Sequence, residues 1–385
     1  MDFDLSEEHQ LIRDTVRDFA EQEIAPVAEE LDREARFPYE IVAELGELGL
    51  MGVPFPEEYG GAGGDALAYA LTIEELARVD SSVAITVAAH TSLGTNPIYL
   101  FGSDEQKQEW LPRLTSGRAL GAFGLTEPEA GSDAGAIRTS ARLEGGWWVV
   151  NGTKAFITNS GTDITALVNL AVVTGPGEGG RKEISNLIVP QDTPGYTRGA
   201  PYHKMGWRAS DTHELHFEDA RVPEANLLGR RGKGLAQFLT ILDAGRIGVG
   251  AMGLGLAQRV YEMSLRYARE RSAFGHPIGS YQAVSFRLAD MATRLEGARL
   301  LLHRAATLKD QDRPYETVAA MAKLTATELA VWAADQAVQI HGGYGYMDEF
   351  PVSRFYRDAR VLTIGEGTSE MMRLVIARAI EAAGE

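Results

Sequence analysis

Glu366 stands between two glycines in the run Ile364-Gly365-Glu366-Gly367-Thr368-Ser369-Glu370, just ahead of a helical pattern from about Ser369 to Ala383. A carboxylate with no side-chain bulk beside it can be reached by a substrate and can act as a general base. By itself the pattern also describes a solvated loop glutamate. Four further segments have residue types suited to holding a ligand. Phe123-Gly124-Leu125-Thr126-Glu127-Pro128-Glu129-Ala130-Gly131-Ser132-Asp133 joins a β-type run to a loop rich in hydroxyls and glycine, which offers backbone N–H groups. Trp148 to Asn159 is a strand pattern ending in Phe156-Ile157-Thr158, an aromatic and a β-branched pair suited to a wall against a flat ligand. Arg271-Ser272-Ala273-Phe274-Gly275, followed by Gln282, places an arginine beside a glycine break, where it can clamp a phosphate. In Gln339-Ile340-His341-Gly342-Gly343-Tyr344-Gly345-Tyr346 three glycines end a long helical pattern. Taken singly, these four also read as a turn, a plain strand, a solvated helix-end arginine and a helix cap.

Other motifs carry less. Gly248-Val249-Gly250-Ala251-Met252-Gly253 matches the dinucleotide fingerprint but lies inside a helical stretch instead of after a strand, so its glycines are read as close helix packing. Asn151-Gly152-Thr153 is a glycosylation sequon by pattern alone. His303 and the other histidines show no ligand spacing, and no metal site is expected.

The elements that must position these residues fall in the order α, β, α. Residues 1–120 are helical, with Ser6 capping a helix that carries Leu11, Ile12, Val16 and Phe19 at spacings of three and four. Pro26 and Pro38 mark breaks, Asp65 and Asp80 precede further helices, and Ser103 with Gln106 forms a capping box. Residues 121–228 are β: Trp147–Val150, Ile164–Thr174, Ile184–Val189 and His213–Phe217 read as strands, with a two-residue hairpin turn at Gly145-Gly146. A sandwich or barrel is expected there. Residues 229–385 return to long proline-poor helices with breaks at Gly275–Ser280 and Asp310–Pro314, the pattern of an antiparallel bundle. The fold class is α+β, in three units with those bounds.

The chain has 385 residues, 44% hydrophobic and 24% charged, enough for several cores and a large cofactor. Its net charge of −17 is concentrated in residues 1–120, which carry 24 acidic and 8 basic residues; the rest is nearly neutral. Nucleic acid is excluded as a partner by the lack of clustered Lys and Arg, whereas an anionic ligand fits the balanced part. There is no cysteine, so disulfides, thiolate metal sites and cysteine nucleophiles are excluded. No signal peptide and no apolar run near the roughly 18 residues of a membrane span are read, and cytoplasmic location is expected.

In order and spacing the five segments resemble the acyl-CoA dehydrogenase family. So do Asp243-Ala244-Gly245-Arg246, Lys204-Met205-Gly206-Trp207-Arg208 and Tyr356-Arg357-Asp358-Ala359-Arg360, and the resemblance covers the whole chain, closest to short-chain and short branched-chain members. It implies an N-terminal helical domain, a middle β domain and a C-terminal four-helix bundle, with FAD between the last two. Phe123, Leu125, Thr126, Gly131, Ser132, Phe156, Ile157 and Thr158 are then expected to line the isoalloxazine and its chain. Arg271, Phe274 and Gln282 are expected at the pyrophosphate and adenosine. Gln339, Ile340, His341, Gly342 and Gly343 reach FAD from a neighbouring subunit, which implies a homo-oligomer, usually a tetramer. Thr368, Ser369 and Glu370 complete the flavin site, and Ser132, Asp243, Arg246 and Gly367 contact the acyl-CoA.

The implied reaction is α,β-dehydrogenation of the thioester to a trans-2-enoyl-CoA. Glu366 takes the α-proton, hydride passes to flavin N5 and electrons go on to electron-transfer flavoprotein. Position 245, where some members carry the base, is glycine, so Glu366 is the only carboxylate at either site. An acyl-CoA oxidase or other flavoenzyme on this fold, and a silent flavin- or CoA-binding protein, stay open as alternatives.

Overall fold

The computed structural model describes residues 3–383. Helix α1 (Glu7–Phe19) begins at Ser6, whose Oγ accepts from the His9 amide at 3.2 Å. Its inner side is narrower than the apolar spacing suggests: Val16 is buried, but Leu11 points to solvent. After α2 (Ala28–Glu34) and α3 (Tyr39–Glu47), helices α4 (Ala66–Val79) and α5 (Ser81–Ala89) start at Asp65 and Asp80. These carboxylates accept from the amides of Ala68 at 2.7 Å and of Ser82 and Val83 at 2.8 and 3.0 Å, satisfying first-turn donors that the helix cannot. Helix α5 widens into a π turn over His90–Thr95 before α6 (Asn96–Phe101), and α7 (Asp104–Thr115) opens with the Ser103–Gln106 capping box.

Seven strands then form one connected sheet. They are β1 (Leu120–Gly124), β2 (Ser140–Glu144), β3 (Trp147–Thr158), β4 (Thr165–Pro176), β5 (Lys182–Pro190), β6 (Tyr196–Arg198) and β7 (Thr212–Pro223). β5 pairs along one edge of β4, while β1 and β2 share its other edge in series; β3, β7 and β6 follow. Gly145 and Gly146, at φ 59° and 83°, close the β2–β3 hairpin in the left-handed conformation that a two-residue turn requires. Strand β3 runs well past Val150, and its register against β7 slips between Lys154 and Ile157.

The remaining chain is α8 (Gly234–Glu270), a small hairpin of β8 (Ser272–Ala273) and β9 (His276–Pro277), α9 (Gln282–Asp310), α10 (Glu316–His341), α11 (Val352–Leu362) and α12 (Ser369–Ala383). Helix α8 corrects one expectation. An 18-residue window in it has a mean hydropathy of 1.3, so by length and composition it is apolar enough to cross a membrane. The physical reason lies in packing, since 72% of that window is buried inside the protein, where α8 lies against α4, α9 and α10. Its GxGxxG glycines serve that contact: a Cβ on Gly253 would sit 2.9 Å from the Ala326 carbonyl.

A single apolar core runs from the N-terminal helices through α4 and α5 into α8, α9, α10 and α11, so the two helical segments are folded against each other. The sheet has its own core around Trp148, Leu170 and Phe217. Two segments with no chemistry of their own meet at a joint. The Trp207 amide donates to Asp358 Oδ1 at 2.7 Å, and a Cβ on Gly206 would lie 2.6 Å from the Arg357 backbone. Next to it Arg357 pairs with Asp32 and Arg354 with Asp80, tying α11 to the first third of the chain.

Asp80 is fully buried and caps α5 while accepting from Arg354. Arg354→Ala strands that charge, and the unfolding free energy is expected to fall by about 3 kcal/mol or more, as when one partner of a buried pair is removed. Urea denaturation at pH 7 measures it.

Candidate active site

Residues 363 to 368 leave α11 and turn into α12. Glu366 sits in this turn at φ 50°, a left-handed conformation that is uncommon outside glycine, with Gly367 at φ 97° beside it. The turn is held at both ends: the amides of Ile364 and Gly365 donate to Val361 O, each at 2.9 Å, and that of Ser369 to Thr363 O at 3.0 Å. The residue as a whole is half-buried, but its Oε2 is buried and makes no hydrogen bond to the described residues. Burial pushes its carboxyl up to about 7, against the opposing charges of Lys323 and Arg246. Such a group is protonated in mildly acidic solution and a usable base near neutrality.

Space for that carboxylate comes from α8. A Cβ placed on Gly245 would lie 2.4 Å from Glu366 Oε2 and 3.8 Å from Ser92 Oγ. One residue on, Arg246 is buried and pairs through Nη1 with Asp243, while its Nε has no partner. Two buried polar atoms of opposite character, Arg246 Nε on α8 and Glu366 Oε2 from the turn packed against it, therefore lie at one place with no partner among the described residues, an arrangement that fits a polar ligand. A cavity of about 490 Å³ opens alongside, lined by Phe55, Tyr69, Ser92, Ala244, Ile247 and Tyr315 among others. The π turn at His90–Thr95 brings Thr91 and Ser92 to its wall. Tyr69 forms an inner surface; burial, then the Glu366 charge, push its phenol well above the usual range. His90 behind the wall is a satisfied core histidine, with Nε2 on Leu114 O at 2.9 Å and Nδ1 accepting from the Gly121 amide at 3.2 Å.

The loop after β1 is braced from within. Lys154 Nζ donates to Leu125 O at 3.1 Å and to Glu127 at 2.8 Å, and Glu127 accepts from the amides of Arg138 and Thr139 at 2.6 and 2.9 Å. The Ala155 amide donates to Thr126 O at 2.9 Å, which sets Phe156 beside Thr126. The register slip in β3 leaves Phe156 64% exposed at φ 62°, while Ile157 is buried behind it. Phe123 packs edge-to-face on Phe238 of α8 with ring centroids 4.5 Å apart, joining this loop to the bundle. Gly131 and Ser132 lie exposed, with open space around Gly131, and Ser369 Oγ is buried without a partner. An exposed aromatic wall, an open glycine loop and an orphaned hydroxyl fit a flat ligand such as FAD. Thr368 and Glu370 serve α12 directly, Thr368 Oγ1 accepting from the Met371 amide at 3.3 Å, and Glu370 stands exposed.

The other expected cofactor residues form a second group. Arg271, Phe274 and Gln282 surround the β8–β9 hairpin, exposed, with Phe274 at 94%. Gln339, Gly342 and Gly343 are exposed at the end of α10, while Ile340 and His341 face inward, His341 stacking on Tyr267 at 4.3 Å. Arg271 follows Arg246 by 25 residues of helix, about 37 Å at the α-helical rise. Within one chain the structure thus brings together Glu366, Gly367, Asp243 and Arg246, and keeps the hairpin group apart from them.

Sequence patterns passed over Tyr69 and Lys323. Tyr69 looks like any core aromatic. Lys323 carries a signal, being a lone cation on the buried stripe that also holds Ala319, Ala326 and Ala330.

Family models for the N-terminal, middle and C-terminal domains of acyl-CoA dehydrogenase match residues 6–118, 122–220 and 232–381. A probable acyl-CoA dehydrogenase of Bacillus subtilis (strain 168), YngJ, is 53% identical, covering 98% of this chain and 99% of its own. The mitochondrial short-chain specific acyl-CoA dehydrogenase of Mus musculus is 49% identical, covering 97% and 90%. Butyryl-CoA dehydrogenase from Megasphaera elsdenii superposes with a TM-score of 0.95 at 42% identity, covering 99% of this chain and 100% of that one. An acyl-CoA dehydrogenase from Bacillus anthracis, solved in complex with FAD, gives 0.92 at 36% identity, with 99% and 68% covered.

Gly245→Ala tests the space made for the carboxylate. The methyl meets only the end of a flexible side chain, so the fold should hold with an unchanged melting temperature, while Glu366 is displaced. Acyl-CoA-driven loss of flavin absorbance is expected to slow by about 100-fold, the cost of roughly 1 Å of misplacement, as read by stopped-flow absorbance.

Proposed function

The chain belongs to the acyl-CoA dehydrogenase family of flavoprotein oxidoreductases, and we propose that it dehydrogenates a short-chain acyl-CoA to the trans-2-enoyl-CoA with Glu366 as the base. Electrons then leave to an electron-transfer flavoprotein. The observation that carries the reading is the buried, unpartnered Oε2 of Glu366, set over Gly245 beside the cavity.

An α C–H of a thioester is a weak acid, so the chain must supply a base and a place for the developing carbonyl charge. Glu366, its carboxyl pushed up by burial, gains basicity from it. Its own backbone N–H, to which none of the described residues offers an acceptor, serves as a donor to the thioester oxygen. Arg246, held by Asp243, has a free Nε directed to the acyl-CoA, and Ser132 and Gly367 complete that contact. Tyr69 and Phe55 line the cavity, and the short-chain reading follows the short-chain specific relatives.

Bound FAD supplies the acceptor for the hydride that leaves the β-carbon. Phe123, Leu125, Thr126, Gly131, Ser132, Phe156, Ile157, Thr158 and Thr368 to Glu370 hold it from the chain that carries Glu366. Arg271, Phe274, Gln282 and Gln339 to Gly343 hold it from a second copy, because the helix length separates them from the first group. A homo-oligomer, in the family's usual tetrameric form, follows from that division.

Anaerobic titration of the purified holoenzyme with butyryl-, octanoyl- and isovaleryl-CoA tests the activity and the chain length. Butyryl-CoA is expected to bleach the flavin most rapidly, and Glu366→Gln to bind it while bleaching at least about 10³-fold more slowly, within the range for loss of a general base. The base works ionised, so the bleaching rate should rise with pH through about 7, where the Glu366 carboxyl titrates in the free enzyme. Normal bleaching by Glu366→Gln contradicts the assignment.

The two-copy site has its own test. Arg271→Ala alone should lose FAD and Glu366→Gln alone should be inactive, whereas a hybrid of the two chains, isolated by two affinity tags, should recover activity at sites built from the intact halves. An inactive hybrid that still holds FAD in about half of its sites contradicts shared sites.

A further inference from the structure

We infer that Lys323 is a positioning residue for the reaction: its buried ammonium grips the carbonyls on both sides of Glu366 and thereby aims the carboxylate and the Glu366 amide together. The inference rests on Glu366 being the base.

Lys323 has no exposed surface. Its Nζ donates to Gly365 O at 3.1 Å and, in a shorter contact, to Gly367 O. A lysine ammonium has three N–H donors and no acceptor, so two of the three are committed to the residues flanking Glu366. Among the described residues no carboxylate lies within ion-pair distance of Lys323. A buried cation without a close counter-ion is costly, and a methionine would fill the same space in this alanine-rich helix at no such cost. Its presence therefore calls for something that only the ammonium does.

Geometry says what that is. No peptide bond in the described chain is cis, so within the planar unit joining residues 365 and 366 the C=O and N–H point in opposite directions. With Gly365 O fixed on Lys323, the Glu366 N–H must leave on the side away from α10. The second grip, on Gly367 O, fixes the peptide joining residues 367 and 368, so the Glu366–Gly367 peptide is held between two anchored units. Together they hold a non-glycine residue at φ 50°, which the flanking backbone bonds to Val361 O and Thr363 O do not reach. One side chain thus sets both demands of the reaction, the base and the donor to the thioester oxygen.

Lys323 also acts through its charge. The groups facing the pair are Arg246 on α8, Tyr69 on α4 and Glu370 on α12. Burial lowers the ammonium pKa, with Glu366 acting the other way, and Lys323 in turn holds the Glu366 carboxyl below where burial alone would put it.

The test uses Lys323→Met and Lys323→Gln holoenzymes, with flavin content and melting temperature recorded first. Anaerobic stopped-flow bleaching by butyryl-CoA is followed across pH, and the acyl-CoA dissociation constant is taken from the saturation curve. In Lys323→Met the limiting rate should fall about 100-fold, as when one oxyanion donor is lost, with the dissociation constant within about threefold, since only transition-state contacts change. The acid limb of the rate should move up by about one pH unit, because a nearby positive charge no longer favours the carboxylate. Lys323→Gln, which keeps a neutral donor, should show the same limb shift with a smaller loss of rate; if the Met variant does not fold, this limb shift decides. A folded variant that bleaches within about threefold of the parent with an unmoved limb overturns the inference. Unimpaired bleaching by Glu366→Gln would instead overturn the base assignment, so the two failures are distinct.

Discussion

Everything at this site depends on keeping one carboxylate oxygen buried, unpaired and unobstructed. Glu366 Oε2 is buried and has no hydrogen-bond partner among the described residues, whereas buried polar atoms in proteins are mostly satisfied. Three helices pack around it to make that possible. Helix α8 provides Gly245, the only residue type that leaves room for the carboxylate; α10 provides Lys323, which fixes the turn; and α12 starts directly after it. The left-handed backbone at position 366 is strain that the surrounding bonds sustain, and strain of this kind gathers at functional positions.

The rest of the architecture keeps those three helices in register and sets a ligand surface against them. The first and last thirds of the chain share one core, and the pairs Arg354–Asp80 and Arg357–Asp32 lock α11, the helix leading into the Glu366 turn, onto the N-terminal helices. The sheet contributes a braced loop, stiffened by the buried Lys154–Glu127 pair and seated on α8 through Phe123 and Phe238. A long helix such as α8, about 55 Å by its rise, then carries the Arg271 hairpin well away from Glu366. The same length that gives the bundle its core places the residues proposed to bind FAD in two separate groups.

Much of this is legible in the sequence, because local signals act locally. Asp65, Asp80 and the Ser103–Gln106 box start helices where their chemistry says they should, and Gly145-Gly146 closes a hairpin. The glycine-flanked Glu366 and the glycine at 245 are visible as a pattern, though only the fold shows that they touch. What stayed hidden depends on contacts between distant segments. Lys323 lies 43 positions before Glu366, and nothing local says which carbonyls it will meet. Leu11 satisfies a helical spacing yet faces solvent because no neighbour covers that side of α1. Helix α8 passes for membrane-spanning by hydropathy, and only its neighbours explain why it is so apolar.

The account stands on Glu366 being a carboxyl whose proton is lost near neutrality. Infrared difference spectroscopy of the ligand-free holoenzyme, stepped from pH 5 to pH 9 and compared with Glu366→Gln, follows that proton directly. A carboxyl band that is present at pH 5, disappears around a midpoint of about 7 and is missing from the variant is the predicted result. A Glu366 already ionised at pH 5, as any solvated glutamate would be, contradicts it.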